Sequence, residues 1–231
     1  MLFRQLFDPE SSTYTYVLGD PVAREAVIVD PVLENSARDF EVLAALGLRL
    51  VWILDTHVHA DHVTGAGVLK ERTGARTGVS RHCGASGFDR LLDDGDIVVF
   101  GNELLRAIST PGHTPGSTCY LWRDRLLTGD TLLIGGCGRT DFQNGSAAAL
   151  YESITGRLFT LPDDTLVYPG HDYKGRRVST IGEEKSTNPR LAGKSRDQFV
   201  EIMDNLHLPE PKKIATAVPA NLLGGRTGAE P

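Results

Sequence analysis

Short apolar runs separated by turn residues fill most of the chain. Residues 13–18 alternate in polarity and are rich in Thr and Tyr, which predicts a strand. Residues 26–29, 50–54, 97–100, 104–108, 118–122, 126–127 and 166–168 read as further strands. Several are continuous apolar runs, the pattern of strands buried on both faces. Helical periodicity interrupts them. Ser36 with Asp39 three residues on predicts a capping box, followed by a stripe of Phe40, Leu43 and Leu46. A second helix is expected from near Asp61 to Gly74. A third is expected over 146–159, with Leu150, Ile154 and Leu158 on one face, and a fourth near 196–206. From Pro209 onward, Pro, Lys and Gly predict irregular structure. No repeat and no strong boundary is visible, so residues 1–231 are expected to form one domain with a C-terminal extension from about residue 209. Strands and helices mixed in this way predict an α/β fold of sheet layers covered by helices.

Composition removes several function classes. With 40% hydrophobic and 23% charged residues over 231 positions, disorder and a fibrous protein are excluded. A net charge of −6 without any Lys/Arg run argues against nucleic acid or an anionic membrane surface as partner. No apolar stretch approaches the ~20 residues that span a bilayer. The N-terminus carries no signal-peptide pattern, and Cys83, Cys119 and Cys137 form no CxxC. A reducing, cytoplasmic location is therefore expected.

The chemistry concentrates at the ends of predicted strands. Thr56-His57-Val58-His59-Ala60-Asp61-His62 directly follows the strand at 50–54. In an extended segment His57 and His59 point to the same side, and Asp61 and His62 can turn into the same space. Three more candidate ligands follow later strands: His113, Asp130 and His171, each preceded by glycine, which permits sharp turns and close approach. Any one of these alone reads as a turn residue. Together they bring five of the seven histidines to strand-end loops. His82 and His207 read as structural or solvated, Cys119 as core and Cys83 as a loop thiol.

The His57–His62 run followed by His113, Asp130 and His171 resembles the metal-ligand pattern of the metallo-β-lactamase superfamily, and this resemblance implies one of two chemistries. A binuclear hydrolase would use His57, His59 and His113 for one metal and Asp61, His62 and His171 for the other, with Asp130 bridging. Such a pair polarises a carbonyl and generates a hydroxide. A mononuclear site would use only His57, His113 and Asp130. Two histidines and one carboxylate leave open positions and suit non-haem Fe(II). Zinc lacks the redox activity that the second chemistry needs.

The HxHxDH run followed by His, Asp and His resembles the metallo-β-lactamase superfamily over roughly residues 6–171. The resemblance implies an αββα sandwich with the metal site at one edge of its two sheets. Within that superfamily, Gly136-Cys137-Gly138-Arg139-Thr140-Asp141-Phe142-Gln143 and Pro169-Gly170-His171-Asp172-Tyr173-Lys174-Gly175 resemble the persulfide dioxygenases. Residues 3–8 and 12–16 are similar to them as well. Glyoxalase II enzymes share the Gly-Cys-Gly-Arg portion but continue differently. They also carry a longer helical C-terminal region than is expected from the residues that follow His171.

This resemblance implies one Fe(II) per chain on His57, His113 and Asp130. It implies glutathione persulfide and dioxygen as substrates, sulfite and glutathione as products, and a homodimer. Arg139 offers a guanidinium fork for a substrate carboxylate. Tyr173 and Cys137 complete the expected substrate-binding set. His59, Asp61, His62, His171 and Asp172 then form a hydrogen-bonded network behind the iron. In it Asp172 is expected to pair with a histidine and disfavour a second metal. The alternative is a binuclear glutathione thioester hydrolase of glyoxalase II type. One departure from the family pattern is Asn221-Leu222-Leu223-Gly224-Gly225, where relatives often carry a cysteine. No consequence for the metal site is expected from it.

Overall fold

A computed structural model describes residues 1–226; residues 227–231 of the expected C-terminal extension lie outside the described residues. The first six strands, β1 (Leu2–Asp8), β2 (Thr13–Asp20), β3 (Glu25–Val29), β4 (Arg49–Leu54), β5 (Arg76–Ser80) and β6 (Arg90–Leu92), form one sheet in chain order. The next six are β7 (Ile97–Phe100), β8 (Glu103–Ser109), β9 (Thr118–Trp122), β10 (Arg125–Gly129), β11 (Leu166–Pro169) and β12 (Ser179–Thr180). They form the second sheet, also in chain order. Both sheets are mixed. β1–β2–β3 is an antiparallel meander, whereas β3, β4, β5 and β6 run parallel. In the second sheet only β10 and β11 are parallel.

Parallel neighbours need long crossovers. Helices supply three of them: α1 (Ser36–Ala45) joins β3 to β4, α2 (Ala66–Thr73) joins β4 to β5, and α3 (Ala147–Gly156) joins β10 to β11. Three more helices close the chain: α4 (Ile181–Thr187), α5 (Arg196–Asp204) and α6 (Ile214–Leu222).

The doubly buried strands explain the layering. Tyr14, Tyr16, Leu18, Val27, Val29, Trp52 and Leu54 face Val98, Phe100, Leu105, Tyr120, Trp122 and Leu127 across the gap between the sheets. The intervening positions Val17, Ala26, Ile28, Leu50 and Ile53 point the other way, against Leu43 of α1 and Leu69 of α2. On the far side Cys119, Leu126 and Val167 pack under Leu150, Ile154 and Phe199 from α3 and α5. The result is the αββα sandwich. Trp122 is completely buried and its indole N–H donates to Glu103 Oε2 at 2.8 Å, so its polar tip is satisfied. Its truncation to Ala would cost about 3–5 kcal/mol.

Several local expectations are corrected. Ser36 and Asp39 do not form a capping box: the Ser36 hydroxyl donates to Leu33 O, and Asp39 pairs with Arg38. Both polar groups found nearer partners than the helix N–H groups. The second helix begins only at Ala66, so Asp61 and His62 lie in the preceding loop. The third starts where expected, with the Ser146 side chain accepting from Ala149 N, and its final turn is a 3₁₀ turn at Leu158–Thr160. The tail is not irregular throughout, since Ile214–Leu222 is helical.

Candidate metal centre

The expected ligands converge because their strands end at the same rim of the sandwich. β4 of the first sheet delivers the His57–His62 loop. β8, β10 and β11 of the second sheet deliver His113, Asp130 and His171. The β10–β11 register shifts between Leu127 and Gly129, just before Asp130, and such irregularities re-aim side chains at sites. Gly129 lies in the left-handed region (φ 47°), and a Cβ there would meet Thr56 Oγ1 at 2.5 Å. Only glycine lets the β10 end come that close to the histidine loop.

His57, His113 and Asp130 each offer one ligand atom, and the three atoms lie within 4.8 Å of one another. His57 and His113 are almost fully buried. Their rings stand at 85° with centroids 4.9 Å apart. His113 Nε2 is 3.6 Å from Asp130 Oδ2, and His171 Nε2 is 3.5 Å from Asp130 Oδ1. His171 Nε2 also lies 3.8 Å from Asp61 Oδ2.

The outer ring nitrogens are already committed. His113 Nδ1 donates to Arg139 O at 2.6 Å, which leaves Nε2 as the lone pair facing the site. The Thr56 hydroxyl gives its proton to Asp30 Oδ2 at 2.9 Å and therefore accepts from His57 Nδ1 at 3.0 Å. That again leaves Nε2 free. Burial, then the neighbouring His59 and His113, hold His57 well below the usual histidine range, so it stays neutral and able to ligate.

His59 is held differently. Its Nε2 donates to Asp30 Oδ1 at 3.0 Å. Burial opposes its charge, but Asp30, with Asp61 and Asp55, outweighs burial and pushes its pKa up to about 10. Burial likewise opposes the charge on Asp61, yet His62 and His171 hold its carboxyl well below the usual range.

The group fits a cation. His62 Nε2 and Asp130 Oδ1 are buried and have no hydrogen-bond partner among the described residues. Buried polar atoms without partners are costly, and a bound cation would satisfy lone pairs of this kind.

A cavity of about 530 Å³ opens on this cluster. Its walls include Leu133, Ile134, Phe142, Leu208, Pro209 and Pro211, with Arg139, Lys174 and Arg190 as cations. The expected substrate-binding residues all reach it, in different states. Tyr173 is 72% exposed and stacks on His171 at 6.0 Å, so it is a wall residue and not core. Cys137 touches the cavity but is buried beside Met203 and Arg190, and burial raises its thiol pKa. Arg139 does not hold its fork free. It pairs with Asp141 at 2.6 Å and donates to Leu208 O and Pro209 O.

Asp172 departs from expectation. Its carboxylate accepts from the Lys174 amide at 3.2 Å, and no histidine bonds it among the described residues. His171 turns its Nδ1 toward Ser12 O instead, and Tyr173 covers its face. His82 and His207 are exposed, as expected.

Asp30, Arg190 and Asn221 were not anticipated. Asp30 carried the same signal as Asp130, a carboxylate just after an apolar strand. Arg190 and Asn221 carried none.

The metallo-beta-lactamase superfamily model matches residues 8–171. The bovine protein named "Persulfide dioxygenase ETHE1, mitochondrial" is 50% identical over 228 residues, covering 97% of this chain and 89% of its own. The chain belongs to the persulfide dioxygenase family of the metallo-beta-lactamase superfamily. The human protein of the same name is also 50% identical, with the same coverage. The crystal structure of ETHE1 from Myxococcus xanthus superposes with a TM-score of 0.96 at 57% identity, covering 98% of this chain and all of that one. The family's fold is therefore the sandwich described above. The two mammalian relatives are named mitochondrial, which the cytoplasmic expectation did not anticipate. No helix among the described residues is long and apolar enough to cross a membrane.

Proposed function

We propose that the chain is an Fe(II)-dependent persulfide dioxygenase that converts glutathione persulfide, dioxygen and water to sulfite and glutathione. The observation that carries this reading is the compact set of His57, His113 and Asp130 at the floor of an open cavity. Two histidines and one carboxylate suit non-haem Fe(II) and leave a face open to ligands. Bound iron would supply the redox chemistry that lets dioxygen react with a sulfur atom.

The protein residues act by orientation and charge. Arg139 O and the Thr56–Asp30 relay hold the two ligand rings in the tautomer that presents Nε2. Lys174 and Arg190 give the cavity positive charge that suits the carboxylates of a tripeptide thiol. Tyr173 offers a hydroxyl at the mouth, and Cys137 forms part of the inner wall. The apolar side chains Leu133, Ile134 and Phe142 limit water around the sulfur. The two-sheet body and the segment from about residue 209 act as one unit, since that segment forms part of the cavity wall. Three unpaired cysteines support a reducing compartment such as the cytoplasm.

One observation favours a second reading, the binuclear glutathione thioester hydrolase. Asp130 turns one oxygen toward His113 and the other toward His171, as a bridging carboxylate would. Oxygen uptake separates the two. Ferrous-reconstituted protein should consume dioxygen and form sulfite on adding glutathione persulfide, and the zinc-loaded protein should not. No uptake by a verified iron-loaded sample, with hydrolysis of glutathione thioesters, would replace the first reading by the second.

A further inference from the structure

The loop that carries His57, His59, Asp61 and His62 has no regular secondary structure, yet most of it is buried. Buried backbone groups need partners, and a loop cannot supply them from its own ladder. Some come from a residue far away in sequence. Asn221, at the end of α6, is 1% exposed. Its amide nitrogen donates to His59 O and to His62 O, each at 2.9 Å, and its amide oxygen accepts from Thr64 N at 2.8 Å. One side chain therefore spans both sides of the last two histidines and uses both of its N–H donors to do so.

The surroundings of Asn221 fit this role and not core packing. No residue of α6 belongs to any of the three hydrophobic clusters. The backbone just after the helix presses on the same loop: a Cβ on Gly225, which has φ 80°, would meet Thr64 O at 2.3 Å. Leu222 O accepts from Ser86 N and Gly87 N, which ties the helix end to the β5–β6 connection.

We propose that Asn221 is a positioning residue for the metal loop, which fixes the backbone of His59–Thr64 and, through this segment, the aim of His57 two residues upstream toward His113 and Asp130. It touches neither the cavity nor the ligand atoms, and acts through the loop. The proposal rests on the metal assignment made above. It also gives the closing Asn-Leu-Leu-Gly-Gly segment a function at the site.

The test uses the full chain loaded with Co(II), whose ligand-field spectrum reports donor geometry whichever reaction the site performs. Asn221→Asp keeps the shape and the acceptor but loses both donors. Asn221→Leu keeps only the approximate shape. In either variant, release of Co(II) to a chelator is expected to quicken about 10- to 100-fold, as for other residues that orient metal ligands. The Co(II) spectrum should shift, and in the iron-loaded variants kcat for the persulfide should fall while KM holds. A folded variant with a lowered melting temperature but an unchanged spectrum and release rate would reduce Asn221 to a structural residue and overturn the proposal.

Should both variants fail to fold, hydrogen exchange on the unaltered protein decides. The Thr64 amide should be protected like those of the central strands, and exchange at the rate of an exposed turn would overturn the proposal. A parent that binds no Co(II) sinks the metal site and the clamp together. Co(II) binding with no dioxygenase activity in the iron-loaded chain sinks only the reaction.

Discussion

Asp30 Oδ1 lies 3.0 Å from His59 Nε2, while its other oxygen reaches His57 through the Thr56 hydroxyl. One carboxylate thus sets the proton positions of two histidines. Asp30 adopts φ 52°, a conformation that a non-glycine residue holds only when its surroundings enforce it. Here Thr56 N, Thr15 Oγ1 and Leu54 O complete its bonds.

Asp30→Asn should therefore weaken metal retention without unfolding the sheets. The amide offers an N–H where His59 or the Thr56 hydroxyl now donates, so one of the two bonds is lost. Affinity is expected to drop about 10- to 100-fold, read by competition with a chelator. Unchanged affinity in a folded variant would count against the relay.

Metal count distinguishes the two sides of Asp130. His171→Ala should keep about one iron per chain, because two histidines and one carboxylate remain on the other side. His113→Ala should lose it. Elemental analysis of both variants after iron loading checks this, and a fall from two metals to one in His171→Ala would favour the binuclear hydrolase.

Arg139 holds the carbonyls of Leu208 and Pro209, which line the cavity. Arg139→Leu removes those bonds and leaves Asp141 unpaired. KM for the persulfide is expected to rise about five- to tenfold, a little over 1 kcal/mol in binding, with a smaller change in kcat. The 205–213 segment should also be cut faster by a protease. Unaltered KM and cleavage would show that the segment holds without Arg139.

Asp39 makes stability depend on pH. Burial lifts its pKa to about 6, and Arg38 only partly opposes this. The folded chain then binds this proton more tightly than the unfolded chain, whose carboxyl titrates near ~4. Stability from Asp39 is full below about pH 4 and is lost as pH rises through about 6, by up to about 3 kcal/mol. Asp39→Asn should flatten that part of the profile. Urea midpoints of both proteins across this range measure it, and parallel profiles would refute it.

Strands were legible where burial on both faces forced continuous apolar runs, as in β4 and β9. β5 escaped because Arg76-Thr77-Gly78-Val79-Ser80 has a single large apolar residue. Its neighbours on both edges, and not its composition, make it a strand. Helix α6 was masked by Pro209, Pro211 and Pro219, though Pro219 sits inside it. The candidate ligands were readable because a strand, a glycine and a His or Asp recur together. What surrounds them was less so. A guanidinium in a glycine-rich loop reads as a carboxylate binder, but Asp141, two residues on, and the 208–209 backbone claim it first. Asn221 gave no signal, since a side-chain amide at a helix end is commonplace and its partners lie about 160 positions away.

Because the site draws on both sheets and its histidine loop is braced from α6, it is also an event in time. A chain emerging from the ribosome presents His57 long before His113, Asp130 or Asn221 exist. At ordinary rates of synthesis the interval is about three to ten seconds to His113 and about ten to thirty seconds to Asn221. During it the exposed histidines have no partners with which to hold a cation in the final geometry. A cation would therefore meet the complete donor set only when translation is almost complete.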